Sequence, residues 1–243
     1  MGSTHSQGGH RLRRRLAWSL IAAGLFPAAA RAKIYLADSS LNQINIYPSN
    51  VSGNAAPTVT IAGPATGLSQ PEGVAVDANY IYVANYEGAT GNSVRIFALN
   101  ASGNAAPVAV ISGSNTGLTN CEGIAVDANN IYVVNESAVG YAFGSVTVYP
   151  KMTGGSVTNG NVSPLRTIGG PDGAPMNNTG FAYPFGIAVD ANYIYVTVPD
   201  GGNGGFDGGV VSIFPLKASG NVVPAISLVG LAAFHGPIGV AVN

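Results

Sequence analysis

One short segment recurs four times along this chain, and that repetition constrains the fold more than any other feature. Gly73-Val-Ala-Val-Asp77 returns as Gly123-Ile-Ala-Val-Asp127, Gly186-Ile-Ala-Val-Asp190 and Gly239-Val-Ala-Val-Asn243. Three further segments recur with it. Ile81-Tyr-Val-Ala-Asn85 matches Ile131-Tyr-Val-Val-Asn135, Ile194-Tyr-Val-Thr-Val198 and Ile34-Tyr-Leu-Ala-Asp38. Val94–Phe97, Val146–Tyr149, Val211–Phe214 and Ile44–Tyr47 form a third set, and runs opened by Pro57, Pro107, Pro164 and Pro224 form a fourth. Each segment is rich in β-branched and aromatic residues and bounded by Gly, Asn, Asp or Pro, the signature of short strands between tight turns. Four strands per repeat, at spacings of 50 to 63 residues, describe the blade of a β-propeller.

The predicted fold is therefore all-β: four four-stranded antiparallel blades. The repeats are out of phase with residues 33–243, which start at a second strand, Ile34, and stop at a first strand, Gly239–Asn243. Pairing those two segments completes the fourth blade and closes the ring without a free edge. A portion of a larger ring is the competing reading.

Composition agrees with an all-β chain. Gly (34) and Pro (15) disfavour helices, and 47% hydrophobic residues with only 9% charged exclude a disordered chain. Residues 1–32 read differently. Arg11, Arg13, Arg14 and Arg15 precede an apolar run from Leu16 to Ala30, then Ala30-Arg31-Ala32. A basic region, an apolar core and an A-x-A site make a signal peptide cut before Lys33. The apolar run falls short of the roughly 20 residues a spanning helix needs, and no later stretch fits a membrane span. The adjacent arginines also fit twin-arginine export. The expected destination is periplasmic or extracellular. Residues 33–243 keep five basic residues against eleven acidic ones, a net of −6. That excludes the basic footprint of a nucleic-acid binder. A single cysteine, Cys121, rules out an internal disulfide.

The recurrent P-x-G-[IV]-A-V-D-A-x-x-I-Y-V-x-N pattern resembles NHL-type repeats and the related six-bladed lactonase-like propellers. The resemblance covers most of residues 33–243 and implies the propeller fold. It is nearly silent on activity, because similar propellers serve as hydrolases, lyases and binding platforms.

Meander topology sorts the loops onto two faces. The turns after the first strands, Asp77–Tyr80, Asp127–Asn130 and Asp190–Tyr193, are nearly uniform, as are the turns at Ser52-Gly-Asn54, Ser102-Gly-Asn104 and Ser219-Gly-Asn221. Asp and Asn cap such turns and Gly supplies positive φ, so these read as structural. The opposite, top face carries loops of varied length, where a regular scaffold places function. Glu72, Glu87, Glu122, Glu136, Asp172, Asp200 and Asp207 fall there, with Asp38 at a strand end and no Lys or Arg. Tyr86, Tyr141, Phe143, Phe181, Tyr183, Phe185, Phe206 and Phe234 accompany them. Such a face attracts cations or ligands rich in amines and hydroxyls.

The candidate site lies at the top mouth of the channel. The residues before the inner glycines are Glu72, Glu122, Phe185 and Ile238; the second strands end in Asn85, Asn135, Val198 and Asp38. Glu72, Glu122, Asn85 and Asn135 form a candidate set for Ca²⁺, a hard cation that takes oxygen ligands. The resemblance implies the same, since lactonase-like propellers hold a channel metal with acid and amide oxygens. Asp200, Asn203 and Asp207 form a second oxygen-bearing loop. Tyr183, Phe185 and His235, the last being the sole histidine after residue 32, complete the candidate ligand-binding set. A three-His zinc site is excluded by count. The leading functional reading is an exported module binding a small molecule or protein through the top face. A Ca²⁺-dependent lactonase-like hydrolase and a structural envelope or matrix protein are the alternatives.

Overall fold

The computed structural model describes residues 32–86, 91–136, 143–169, 178–199, 209–229 and 236–242. Residues 1–32 form a unit distinct from Lys33–Asn243. Within the second unit the described elements are strands, plus one 3₁₀ turn at Pro64–Thr66. No described helix is long and apolar enough to cross a membrane.

Four antiparallel sheets follow one another in chain order. The first holds β1 (Lys33–Asp38), β2 (Gln43–Pro48) and β3 (Val59–Ala62); the second holds β4 (Pro71–Val76), β5 (Tyr80–Asn85), β6 (Ser93–Ala98) and β7 (Ala109–Ser112). The third comprises β8 (Cys121–Val126), β9 (Asn130–Asn135), β10 (Ser145–Pro150) and β13 (Arg166–Ile168). A small hairpin, β11 (Met152–Thr153) with β12 (Ser156–Val157), is inserted between its last two strands. The fourth comprises β14 (Ile187–Val189), β15 (Tyr193–Val198), β16 (Val210–Pro215) and β17 (Ile226–Val229). Each sheet is a meander in which every strand pairs with its chain neighbour, and each repeated segment recognised in the sequence from β1 to β17 occupies the expected strand.

Alternation along the strands builds the core between sheets. Ile44, Ile46 and Ile61 of the first sheet pack with Ile81, Val83 and Phe97 of the second. Tyr82, Ile96 and Ile111 meet Ile131, Val133 and Tyr149 across the next junction. Tyr132, Val134 and Val146 meet Ile194, Val196 and Phe214 across the third. Burying each such side chain stabilises the fold by roughly 1.5–3 kcal/mol. With no disulfide, these three junctions hold the sheets together.

The junctions are also clasped by backbone and asparagine contacts that repeat from sheet to sheet. The glycine of one turn lies in a parallel bridge with the last strand of the preceding sheet: Ile61 with Gly103, Ile111 with Gly160, Ile168 with Gly220. The neighbouring asparagine then accepts a hydrogen bond across the junction. Asn104 Oδ1 takes it from Ala65 N at 2.7 Å, Asn161 Oδ1 from Asn115 N at 2.8 Å, and Asn221 Oδ1 from Asn178 N at 2.8 Å.

Four inner segments surround one axial channel: β4, β8, β14 with the residues just before it, and the C-terminal stretch Ile238–Val242. This is the arrangement of a β-propeller. The expected pairing of the C-terminal segment with β1 is the point of difference. Residues 236–242 form no strand, and β1 pairs only with β2. The segment is held instead from the fourth sheet, where Gly209 abuts Pro237 and Gly186 abuts Ile238. The uncovered side leaves Ile34 and Leu36 of β1 and Leu228 and Val229 of β17 about half exposed or more. The last expected residue of that strand, Asn243, lies outside the described residues.

Candidate functional site

The site is a cavity of about 330 Å³ at one end of the channel, to which each repeat contributes the same three positions: Glu72–Val74, Glu122–Ile124, Phe185–Ile187 and Ile238–Val240. The central residue of each triplet is glycine for a steric reason. A Cβ on Gly73 would strike the Glu122 carbonyl, one on Gly123 the Phe185 carbonyl, and one on Gly186 the Ile238 carbonyl. The inner segments therefore approach closely through glycine while the flanking residues line the channel.

The residue three before each inner glycine is left-handed in every repeat: Gln70 (φ 47°), Asn120 (φ 41°), Tyr183 (φ 55°) and Gly236 (φ 66°). This reversal turns the chain from the top face down into the channel. Each turn rests against the residue just before a strand of the preceding sheet, β2, β6, β10 or β16. Asn42 Oδ1 accepts from Gln70 N at 2.7 Å, Asn92 Oδ1 accepts from Cys121 N at 3.2 Å, Gly144 abuts Pro184, and Gly209 abuts Pro237. Two of these contacts are asparagine hydrogen bonds and two are close approaches of glycine to proline, at matching positions of the four repeats.

The two acids of the mouth differ. Glu72 is exposed and accepts a hydrogen bond from the Ser39 side chain. Glu122 is only 7% exposed and its carboxyl makes no side-chain hydrogen bond among the described residues. Burial, then the charges of Glu72 and Glu136, push its carboxyl up to about 8. Burial also raises Glu72 and Glu136, the former against the Ser39 bond.

Asn85 and Asn135 are almost wholly buried, and their carboxamides are committed to the fold. Asn85 Oδ1 accepts from Ser69 N at 2.8 Å while its amide faces Gly67 O at 3.4 Å and Ser93 Oγ at 3.5 Å. Asn135 Oδ1 accepts from Thr119 N at 3.0 Å, and its amide donates to Thr147 Oγ1 at 3.0 Å. Both side chains pin the loop that leads into an inner strand. Among the described residues no group of three His, Cys, Asp or Glu side chains is placed to hold a metal. The two amide oxygens of the candidate Ca²⁺ set are thus each engaged by a loop amide, while Glu72 and Glu122 line the mouth.

Phe185 lines the cavity and Tyr183 is 49% exposed on the turn above it. Phe143 also stands exposed on the top side. Phe181, grouped with the top-face aromatics on sequence, is instead fully buried and meets Phe214 edge-on at 5.2 Å between centroids. Its apolar ring fills the third junction. His235, Asp200, Asn203 and Asp207 lie outside the described residues.

The opposite face is structural. Asp77, Asp127 and Asp190 each cap their turn by accepting from the backbone two and three residues on, and each also accepts from a tyrosine hydroxyl: Tyr82 at 2.9 Å, Tyr132 at 2.6 Å, Tyr195 at 2.7 Å. Lys151, just after β10, pairs with Asp77 and lies over the Tyr82 ring. The turns were readable from sequence; the tyrosine and lysine partners were not.

No protein-family model matches the sequence and no curated protein matches it. Among solved structures, a chain of a nidogen/laminin complex aligns at 14% identity with TM-score 0.47, over 77% of this chain and 59% of that one. The WD40 domain of Toxoplasma gondii coronin aligns at 16% identity with TM-score 0.40, over 65% of this chain and 35% of that one. This chain spans less than two thirds of the length of either. The propeller assignment rests on the sheets and channel described above.

Proposed function

We propose that this chain is an exported NHL-like β-propeller of four blades, its ring closed by the C-terminal segment against β1, that serves as a binding module through its acidic top face. The observation that carries the reading is the cavity at the channel mouth, lined at matching positions by all four repeats. One face offers concavity, acid and aromatic surface. The other is occupied by Asp–Tyr turns whose polar groups already have partners. Recognition sites of this kind combine apolar walls with a few convergent polar groups.

Methyl-resolved NMR of the chain against a fragment set of amines, polyols and short peptides tests it. Shifts clustered on Val74, Ile124, Ile187 and Val240 support the binding-face reading. Shifts confined to the Asp–Tyr turns, or none from any fragment, contradict it.

A further inference from the structure

The mouth is divided in charge. Glu72 and Glu122 come from consecutive inner strands, while the other two strands contribute Phe185 and Ile238. Glu122 carries the unusual feature: a residue only 7% exposed that lines the cavity and whose carboxyl has no side-chain hydrogen bond among the described residues. A buried carboxyl without a donor is costly, and the cost is relieved by any group that brings donors and positive charge to it.

We propose that the channel mouth binds a primary organic ammonium ion with an apolar body, its ammonium between the carboxyls of Glu72 and Glu122 and its body against Phe185 and Ile238. This rests on the top face being the binding face and names the chemistry of its ligand. An ammonium has three donors on one centre, so it reaches carboxyls on two strands at once; a planar guanidinium fork suits one carboxylate taken bidentately. Charge also matches. Glu122 holds its proton to about 8, so near neutral pH the two acids together carry close to one negative charge, balanced by a monovalent cation. The apolar half of the lining gives no partner to a bare hydrated ion but does to a hydrocarbon or aromatic body, and the Phe185 ring adds an attractive face for the cation.

The test is calorimetric titration of the full chain at neutral pH with 2-phenylethylammonium, and in parallel with 2-phenylethanol, the neutral analogue of similar shape, and with Ca²⁺. The expected result is saturable binding of the amine, at least about tenfold tighter than the alcohol, a difference expected from hydrogen bonds to charged groups. E72Q, which removes the negative charge, should weaken the amine by about tenfold or more, E122Q by less, and both should leave the alcohol nearly unchanged. Equal affinity for amine and alcohol overturns the ammonium proposal while leaving a ligand-binding mouth. Ca²⁺ bound in preference to the amine overturns it in favour of a metal site. Binding of neither organic probe overturns it, and the NMR experiment then decides the wider reading separately. Should E122Q fail to fold, the comparison of amine with alcohol in the unaltered chain and the E72Q titration still decide for or against the ammonium.

Discussion

Gly186 and Ile238 meet so closely that a Cβ on the glycine would stand 2.6 Å from the isoleucine carbonyl oxygen. Gly73 and Gly123 stand in the same relation to Glu122 and Phe185, whereas Gly239, the fourth of the set, has nothing within 4 Å of its Cβ position. Three of the four inner contacts are thus made, and the fourth, between Gly239 and the strand carrying Glu72, is not.

This predicts a graded alanine series. G123A and G186A force a methyl onto backbone and should destabilise by about 1–3 kcal/mol, the usual cost of overpacking. If the ring closes as proposed, G239A should cost a comparable amount, because closure brings Gly239 against Glu72. Urea denaturation of the three variants checks this. A neutral G239A beside a damaging G186A would contradict closure.

The asparagine clasps make a second series. N104A and N221A each remove the acceptor of an inter-sheet hydrogen bond, and each should cost about 0.5–1.5 kcal/mol. Thermal melts measure this. A loss no greater than that of an alanine substitution at an unbonded surface residue would show that the clasps do not hold the sheets.

Glu122 sets a pH dependence. Its carboxyl is raised from the ordinary 4.5 to about 8, chiefly by burial and then by Glu72 and Glu136, the charged groups that face it among the described residues. The native state therefore binds its proton more tightly than the unfolded chain does. That contribution is complete below about pH 4.5 and is lost as pH rises through about 8. E122Q carries no such charge, so its stability relative to the unaltered chain should increase between pH 6 and pH 9. Denaturant midpoints at the two pH values test it, and parallel shifts in both proteins would refute it.

Asp77 has the opposite sign. Burial pushes its carboxyl up, but Lys151, the Asn79 and Tyr80 amides and the Tyr82 hydroxyl outweigh burial and bring it down to about 2 from 3.8. Its stabilising contribution is present above pH 3.8 and lost as pH falls through about 2. K151M removes the first-named of these partners, so its acid-unfolding midpoint should move to higher pH. An unmoved midpoint would show that the ion pair is not formed in solution.

What the sequence disclosed and what it concealed divide along the range of the interactions. Strand positions, Asp-capped turns and the ring of inner glycines follow from local pattern, since period-two alternation and turn residues act within a few positions. The clasp from Asn104 to Ala65 spans 39 positions, so Asn104 looked like a turn residue only. Asn85 and Asn135 stand where a metal ligand would, yet their amides are spent on loops, a fact that depends on three-dimensional partners. Glu72 and Glu122 occupy matching places in the repeat, and only packing separates an exposed acid from a buried one. The small hairpin of β11 and β12 escaped notice because two-residue strands carry no period.

The proposal of an exported protein, with residues 1–32 as a leader, predicts removal of that segment. Exported protein should begin at or near Lys33, because the Ala30-Arg31-Ala32 site precedes it. N-terminal sequencing of protein recovered outside the cytoplasm checks this, and an intact residue 1–32 segment on the bulk of that material would contradict it.

Ring closure decides the most: four blades, the last built from both ends of residues 33–243. By the register of β4 with β5, where Val74 faces Val83, closure places Val240 opposite Leu36. Amide exchange of Leu36 and Val240, together with nuclear Overhauser contacts between them, measures whether that pairing forms. A closed ring predicts slow exchange at the ladder amides and cross-strand contacts at the spacing of paired strands, about 4.8 Å. Free exchange at both residues, with no contact between them, would contradict it.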